Sequence, residues 1–136
     1  MALHMIKLVV GCDTVEDLLD WRRVSSRPGD PWVLRTRQTP KRAAEMLEGG
    51  SVYRVFKGNI LCRQRILAIE TVGEGKDARC QVTLDEAIVR VAPTPRRAFQ
   101  GWRYLEPERA PPDLSKGDTA DMPPEMAAEL KRLGLL

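Results

Sequence analysis

The chain has 136 residues, a length that fits one domain large enough to bury a core without disulfides or metal ions. Hydrophobic residues make up 43% and charged residues 30%, which is the balance of a globular protein and excludes a disordered or fibrous one. No run of 18 apolar residues occurs, and the N-terminal stretch lacks the basic start and the small-residue cleavage site of a secretory signal. We therefore expect a single cytoplasmic domain over 1–136 that does not use a membrane as a partner.

Cysteine, histidine and motif content argue against a metal site, a cofactor site or a disulfide framework. Cys12, Cys62 and Cys80 are odd in number and far apart, with no Cys-x-x-Cys pair, and His4 is the single histidine. The sequence contains no Gly-x-Ser-x-Gly motif and no phosphate-binding glycine loop. We therefore expect buried free thiols, no metal and no cofactor, and the sequence names no reaction.

Taken in chain order, the first elements are a short strand and a helix. The apolar run 5–10 predicts the strand. Asp13 followed by Glu16 has the spacing of a capping box, which opens a helix that ends near Arg23. Before the central segment we also predict a strand over 32–37 and a helix that runs from Thr39-Pro40 to a glycine stop at Gly49-Gly50. After it we predict strands over 79–84 and 88–91, and prolines stop the second of these. An extended proline-rich connection over 106–122 and a C-terminal helix over 123–134 complete the chain order.

The central segment, residues 49–70, predicts a β-hairpin that carries arginines. Residues 52–57 and 60–69 are rich in β-branched and aromatic residues, and Gly58-Asn59 between them suits a two-residue turn. Because side chains alternate along a strand, Arg63 and Arg65 leave the same face about 7 Å apart, a spacing comparable to that of neighbouring phosphates on an extended single strand. By the same alternation that face also holds Leu61, Leu67 and Ile69, while Cys62, Gln64, Ile66 and Ala68 lie on the other. The two arginines are therefore either surface ligands or internal ion pairs.

Short strands, small helices and the absence of strict βαβ alternation predict the fold class. We expect an α+β domain with a curled, mostly antiparallel sheet and short helices packed at its ends. The basic residues are unevenly distributed, since residues 31–65 hold eight basic residues against two glutamates although the whole chain carries a net charge of only +3. Residues 90–109 add five arginines against two glutamates. If the two stretches meet in the fold, they form one positive patch.

An ordered set of motifs along nearly the whole chain resembles a small bacterial family of unknown function. The motifs are Leu34-Arg35-Thr36-Arg37, Pro40-Lys41-Arg42, Gly49-Gly50-Ser51-Val52-Tyr53, Lys57-Gly58, the run 60–66, Pro95-Arg96-Arg97, the run 99–105 and the run 110–114. That resemblance implies no activity, because the family has none assigned. More distantly, the layout of residues 40–70 is similar to that of PUA-like pseudobarrels, including the ASCH and EVE groups, which bind RNA or modified nucleobases. This second resemblance implies a pseudobarrel form of the curled sheet and an RNA-like ligand.

These observations define a set of basic side chains with an aromatic edge. Arginine suits phosphate recognition, and an aromatic face stacks a nucleobase with a contribution of about 1 to 3 kcal/mol per base. No catalytic residue is assigned. The predicted ligand-binding residues are Arg35, Arg37, Arg54, Lys57, Arg63, Arg65, Arg97, Trp102, Arg103 and Tyr104.

The first function hypothesis is a binding module for nucleic acid or a modified nucleotide, with RNA as the preferred partner. Two alternatives stay open. One is a small enzyme that acts on a modified nucleoside or another anionic metabolite, and the other is a structural or protein-interaction domain. For single residues the ordinary explanation also stays open, since an arginine on a strand is often in an ion pair and a tryptophan such as Trp102 often belongs to a core.

Overall fold

The computed structural model describes residues 2–97 and 99–114, and the fold is described for those residues. The predicted fold class is confirmed: the chain forms an α+β domain in which a curled, mostly antiparallel sheet carries two short helices. The strands are β1 (His4–Leu8), β2 (Trp32–Thr36), β3 (Ser51–Phe56), β4 (Asn59–Val72), β5 (Arg79–Leu84), β6 (Val89–Pro95) and β7 (Trp102–Leu105), and the helices are α1 (Val15–Ser25) and α2 (Ala43–Met46). Single 3-10 turns cover Gly75–Asp77 and Pro107–Arg109.

The sheet follows the strand order β2-β5-β4-β3-β1-β7, and β6 pairs with β4 outside that path. The pair β1 and β3 is parallel, and the other pairs in the described part of the chain are antiparallel. Strand β4 is the longest. Residues 59–65 of β4 pair with β3, residues 59–63 also pair with β6 on the opposite side, and residues 66–72 pair with β5. The two ends of the six-strand order are β2 and β7.

Two bulges in β4 overturn the predicted alternation of its side chains. Leu61 has no partner on β3, because the consecutive residues Arg54 and Val55 pair with Cys62 and Ile60. Leu67 has no partner on β5, because Ile66 and Ala68 pair with consecutive residues of that strand. A bulge adds a residue to one strand and changes which face the following side chains occupy. Leu61 is consequently buried, Leu67 is 55% exposed, and Ile69 packs against the same core as Cys62. The prediction that Leu61 and Ile69 share a face with the arginines is wrong, because both belong to the core that contains Cys62.

Each face of the sheet is covered by its own group of apolar side chains. The first group, which we call the inner cluster, contains Met5, Val52, Cys62, Ile66, Val82 and Leu84 among others, together with Val15 and Leu18 from α1. The predicted core face of β5, formed by Cys80, Val82 and Leu84, is confirmed. The outer cluster contains Ile6, Tyr53, Val55, Ile60, Val91 and Leu105. Both faces of the central strands are therefore buried, which suits a sheet that curls on itself.

Helix α1 begins one residue later than the sequence pattern predicted. The N-cap is Thr14, whose hydroxyl accepts from the backbone N–H of Asp17 at 3.1 Å, while the Asp17 carboxylate accepts from the backbone N–H of Thr14 at 3.2 Å. This is a capping box with aspartate in place of glutamate. The predicted pair Asp13 and Glu16 is wrong because Thr14 can form the same reciprocal bonds one position further on.

The hairpin between β3 and β4 is confirmed, but its turn lies one residue earlier than predicted. Phe56 pairs with Asn59, so the turn residues are Lys57 and Gly58, with φ of +45° and +85°. Positive φ at both central positions is the conformation of the primed turns that suit a hairpin. Asn59 is instead the first residue of β4.

Two further boundaries differ from the sequence prediction. Helix α2 has its N-cap at Arg42, and the Thr39 hydroxyl bonds that of Thr71 at 2.7 Å instead of capping a helix. Strand β6 continues through Pro93 and Pro95 instead of stopping at Val91. Its pairing with β4 is irregular opposite residues 91–93, and prolines are tolerated in a strand at such irregularities. The predicted helix over 123–134, and the predicted extended connection beyond residue 114, lie outside the described residues.

Candidate functional site

The outermost strands β2 and β7 approach each other across the opening of the curled sheet. The indole N–H of Trp102 on β7 donates to the carbonyl of Gln38, which follows β2, at 3.3 Å. The backbone N–H of Arg42 donates to the hydroxyl of Tyr104 at 3.3 Å. Within the described part of the chain, β2 pairs only with β5 and β7 only with β1. We call the gap between residues 35–42 and 101–104 the seam.

Two adjoining clefts open along the seam. The first has a volume of about 470 Å³ and the second of about 580 Å³. The first is lined by Lys7, Arg35, Thr36, Arg37, Gln38, Arg79, Gly101 and Trp102. The second is lined by Arg37, Gln38, Thr39, Pro40, Lys41, Thr71, Ala78, Arg79, Trp102 and Tyr104. Trp102 belongs to both linings, as do Arg37, Gln38 and Arg79, so these four residues lie where the two clefts meet.

Every charged side chain that lines the two clefts is basic. These side chains are Lys7, Arg35, Arg37, Lys41 and Arg79. None of them takes part in an ion pair between described residues. Arg79 donates through Nη1 to the backbone carbonyls of Lys76 and Ala78, and these bonds hold its guanidinium in place without neutralising it. The lining therefore provides positive charge to whatever occupies the seam.

Trp102 is both a packed residue and a cleft residue. It is partly buried and packs against the inner cluster. Its ring meets that of Tyr104 edge to face, with centroids 4.9 Å apart and an interplanar angle of 86°. Tyr104 is flanked by the guanidinium of Arg42, 5.6 Å from its ring centroid, and Arg42 is itself bonded to Glu45 and Glu106. These contacts fix the orientation of Trp102, which borders both clefts.

The register of the sheet places Arg63 on the face opposite to Trp102. One row of directly paired residues runs from Trp102 through Lys7 and Arg54 to Cys62. The next row runs from Arg103 through Ile6 and Tyr53 to Arg63. Paired residues share a face and neighbouring rows alternate. Arg63 and Arg103 therefore lie on the outer face, whereas Trp102 and Arg54 lie on the inner face.

Arg63 is held in an ion pair. Its Nε and Nη2 donate to the two carboxylate oxygens of Asp113 at 2.7 and 2.8 Å, and its Nη1 donates to the Ser51 hydroxyl at 3.0 Å. The hydrogen bonds to Asp113 raise the pKa of Arg63, and the same bonds lower the pKa of Asp113. Of the two possibilities that the sequence left open for Arg63, the structure shows the ion pair.

The remaining predicted residues are dispersed. Lys57 at the hairpin turn pairs with Asp13 at 3.0 Å. Arg103 donates to the backbone carbonyls of Gln100 and Trp102, and its guanidinium lies 5.3 Å from the ring centroid of Phe99. Arg65 and Arg97 are exposed, and neither lines the clefts of the seam. Of the ten predicted residues, the structure brings Arg35, Arg37, Trp102 and Tyr104 together in the seam.

A family model for a protein of unknown function, DUF1489, matches residues 5–136. The chain belongs to the DUF1489 family. The predicted membership of a small family of unknown function is thus confirmed. No curated protein and no solved structure matches the chain, so the PUA-like resemblance stays a prediction.

Sequence reasoning missed three of the basic residues that line the seam in this DUF1489 protein: Lys7, Lys41 and Arg79. Lys7 had a readable signal, since it is a single lysine inside the otherwise apolar run 5–10. Arg79 had none, because only the pairing of β5 with β2 brings it to the seam. The residues that the structure describes contain no cluster of three metal-ligating side chains and no helix that is long and apolar enough to cross a membrane.

Proposed function

We propose that the protein binds single-stranded RNA in the seam. The observation that supports this most directly is the pair of adjoining clefts that Trp102 borders, whose charged lining residues are all basic. Basic side chains bind the phosphates of the backbone, and an aromatic ring stacks on a base of any sequence. An RNA ligand also agrees with the expected cytoplasmic location and with the PUA-like layout of residues 40–70.

The dimensions of the seam favour one strand over a duplex. Each cleft has a volume within the usual range of about 300 to 1,000 Å³ for small-molecule sites, which suits individual nucleotides. A duplex keeps its bases stacked on one another, whereas single-stranded RNA can present an unstacked base to an aromatic side chain. In our proposal one base therefore lies against Trp102 while adjacent phosphates lie near Arg35 and Arg37.

The chemistry of the lining favours binding over catalysis. Neither cleft is lined by an aspartate, a glutamate or a histidine. General acid–base catalysis most often uses an imidazole or a carboxylate within hydrogen-bond reach of the substrate. The seam offers lysines and arginines instead, which are the residues of an anion-binding surface.

The decisive experiment compares two double charge reversals that change the net charge of the protein equally. Fluorescence anisotropy of a labelled, mixed-sequence single-stranded RNA at low salt gives the affinity of each protein. We expect R35E/R37E to weaken binding at least about tenfold, because each arginine lies at the seam and a phosphate contact depends on its charge. We expect R65E/R97E to bind within about threefold of the wild type, because neither residue lines the clefts.

Equal loss in the two variants would show that the RNA responds to overall charge and not to the seam. Retention of wild-type affinity by R35E/R37E would also contradict the proposal. Circular dichroism and thermal melting of each variant establish that the comparison is made between folded proteins.

A further inference from the structure

The inner face carries a buried guanidinium whose hydrogen bonding is incomplete. Arg54, in the middle of β3, is 6% exposed. Its Nη1 donates to Gln64 Oε1 at 2.8 Å, and its Nε is buried without an acceptor in the described part of the chain. Gln64 is fully buried and is held by the bond that its amide donates to the carbonyl of Asp85 at 3.3 Å. A neutral amide is thus the one described group to which the Arg54 side chain donates.

A buried cation of this kind normally has an anionic partner. Removal of a guanidinium from water is costly unless a carboxylate or another anion compensates for it. No ion pair between described residues includes Arg54, and burial lowers its pKa. The folded chain therefore holds a positive charge for which its described residues supply no negative one.

A second cation lies directly beside Arg54 and connects it to the seam. Lys7 on β1 is the register partner of Arg54 on one side and of Trp102 on the other. Lys7 also lines the first cleft. Burial and the nearby Arg54 charge both lower the pKa of Lys7, which agrees with two cations facing the same region. The row Trp102, Lys7, Arg54 thus leads from the stacking residue into the inner face.

We propose that Lys7 and Arg54 form an anion site that takes a terminal phosphate, the phosphomonoester at the end of an RNA strand. Two adjacent cations match the double negative charge of such a group better than the single charge of an internal phosphodiester. Arg54 is almost wholly enclosed, so a continuous strand cannot run past it. In this proposal the terminal phosphate reaches Arg54 from the first cleft, past Lys7. As a statement about RNA this inference rests on the function proposed above, whereas the phosphate site itself does not.

The test uses three RNAs of one sequence, carrying a 5′-phosphate, a 3′-phosphate or hydroxyl groups at both ends, with inorganic phosphate as a fourth probe. We expect one phosphorylated RNA to bind the wild type at least about tenfold more tightly than the hydroxyl form, since the added contacts are charge-assisted. The preference should disappear in Arg54→Met and Lys7→Met. It should persist in Arg65→Met, which removes an equal charge from an exposed site on β4.

Thermal melting distinguishes a phosphate-binding role of Arg54 from a purely structural one. Arg54→Met removes the desolvation cost of an uncompensated buried charge, which offsets the loss of the hydrogen bond to Gln64. We therefore expect Arg54→Met to melt near the wild-type temperature. Inorganic phosphate should raise the melting temperature of the wild type and of Arg65→Met but not of Arg54→Met. If Arg54→Met does not fold, the end preference and the phosphate response of Lys7→Met test the site instead. Lys7 is only half-buried, so we expect its replacement to leave the protein folded.

The possible outcomes distinguish the two proposals. Equal binding of all three RNAs by the wild type overturns the terminal-phosphate site and leaves RNA binding in the seam intact. A phosphate-dependent rise in melting temperature that Lys7→Met abolishes, with no RNA bound, retains the anion site and overturns RNA as its source. An unfolded Arg54→Met together with an unchanged end preference in Lys7→Met shows that Arg54 is structural and overturns the site. Absence of any effect from RNA or phosphate overturns both proposals.

Discussion

At the scale of single residues, the geometry around His4 fixes its protonation state. The backbone N–H of Ser51 donates to His4 Nδ1 at 3.0 Å, and since a backbone amide can only donate, Nδ1 must be unprotonated. The ring also packs edge to face against Tyr53, with centroids 5.0 Å apart. Burial, and then the charge of Arg63, lower the pKa of His4. The fold therefore favours the neutral imidazole.

This arrangement predicts a loss of stability on mild acidification. As the pH falls below the unfolded-state pKa of 6.5, His4 of the unfolded chain binds a proton, whereas His4 of the folded chain stays neutral. The free energy of unfolding therefore decreases with falling pH until the pH reaches the lower pKa of the folded state. Above pH 6.5 the group is neutral in both states and contributes no slope. We expect the melting temperature of the wild type to fall between pH 6.5 and pH 5, and that of His4→Gln to change less.

Because His4 is the single histidine, its imidazole proton resonances can be followed by NMR without ambiguity. They should titrate with an apparent pKa below 6.5. A titration at or above 6.5, or equal pH slopes in the wild type and in His4→Gln, would contradict the assignment.

The contacts of single side chains were the hardest feature to predict from the sequence. Arg63 could have been a ligand or an ion pair, and the choice depends on Asp113, which lies fifty residues away and is delivered by the bridge between Val91 and Asp113. The local sequence pattern of β4 does not predict the contact between Arg63 and Asp113. Arg79 is likewise a site residue only because the strand that it begins, β5, pairs with β2.

At the scale of elements, Gly50 shows how close packing fixes a connection. Residue 50 joins α2 to β3, and its backbone N–H donates to the carbonyl of Met46 at 2.8 Å. A Cβ added there would lie 2.3 Å from the carbonyl oxygen of Leu3 and 2.5 Å from that of Met46. Both of these atoms belong to the backbone, so neither can move without disturbing an element.

We expect Gly50→Ala to lower the free energy of unfolding by roughly 2 to 4 kcal/mol, the range of severe overpacking. Urea denaturation measures the loss. The matched control is Gly58→Ala in the hairpin turn, where φ is +85° but the nearest atom to an added Cβ is an ordinary 3.8 Å away. There the cost is backbone strain alone, about 1 to 2 kcal/mol. An equal loss in the two variants would show that the contacts at Gly50 relax and that close packing does not set its requirement.

The hairpin illustrates how far an element can be predicted. Its two strands and the inward face of the neighbouring β5 follow from β-branched residues and alternation, and they appear as expected. The turn also forms, but at Lys57-Gly58, one residue earlier than predicted. The bulges at Leu61 and Leu67 do not follow, because a bulge is stabilised by what packs on the strand and leaves no local residue signature here. A strict period of two therefore assigned Leu61 and Ile69 to the wrong face.

At the scale of the whole molecule, the candidate site is a product of strand order. The seam exists because β1 is inserted between β3 and β7, so that the curl carries β7 around to meet the segment after β2. Sequence patterns predict the strands and the curl in general terms but not their order. The basic side chains of the segment 31–65 therefore do not form one patch. Arg35 and Arg37 lie at the seam, whereas Arg63 lies on the opposite face of the sheet.

This separation gives RNA binding a predictable salt dependence. Each phosphate that a protein cation neutralises on a single strand contributes a slope of about −0.7 to the logarithm of affinity against the logarithm of salt concentration. If Arg35 and Arg37 each neutralise one phosphate, R35Q/R37Q should reduce the magnitude of the slope by about 1.4. R65Q/R97Q removes the same charge away from the clefts and should leave the slope within error of the wild-type value. Affinities measured between 50 and 200 mM salt give both slopes. Parallel lines for the wild type and R35Q/R37Q would mean that the two arginines contact no phosphate, even if the affinity itself were lower.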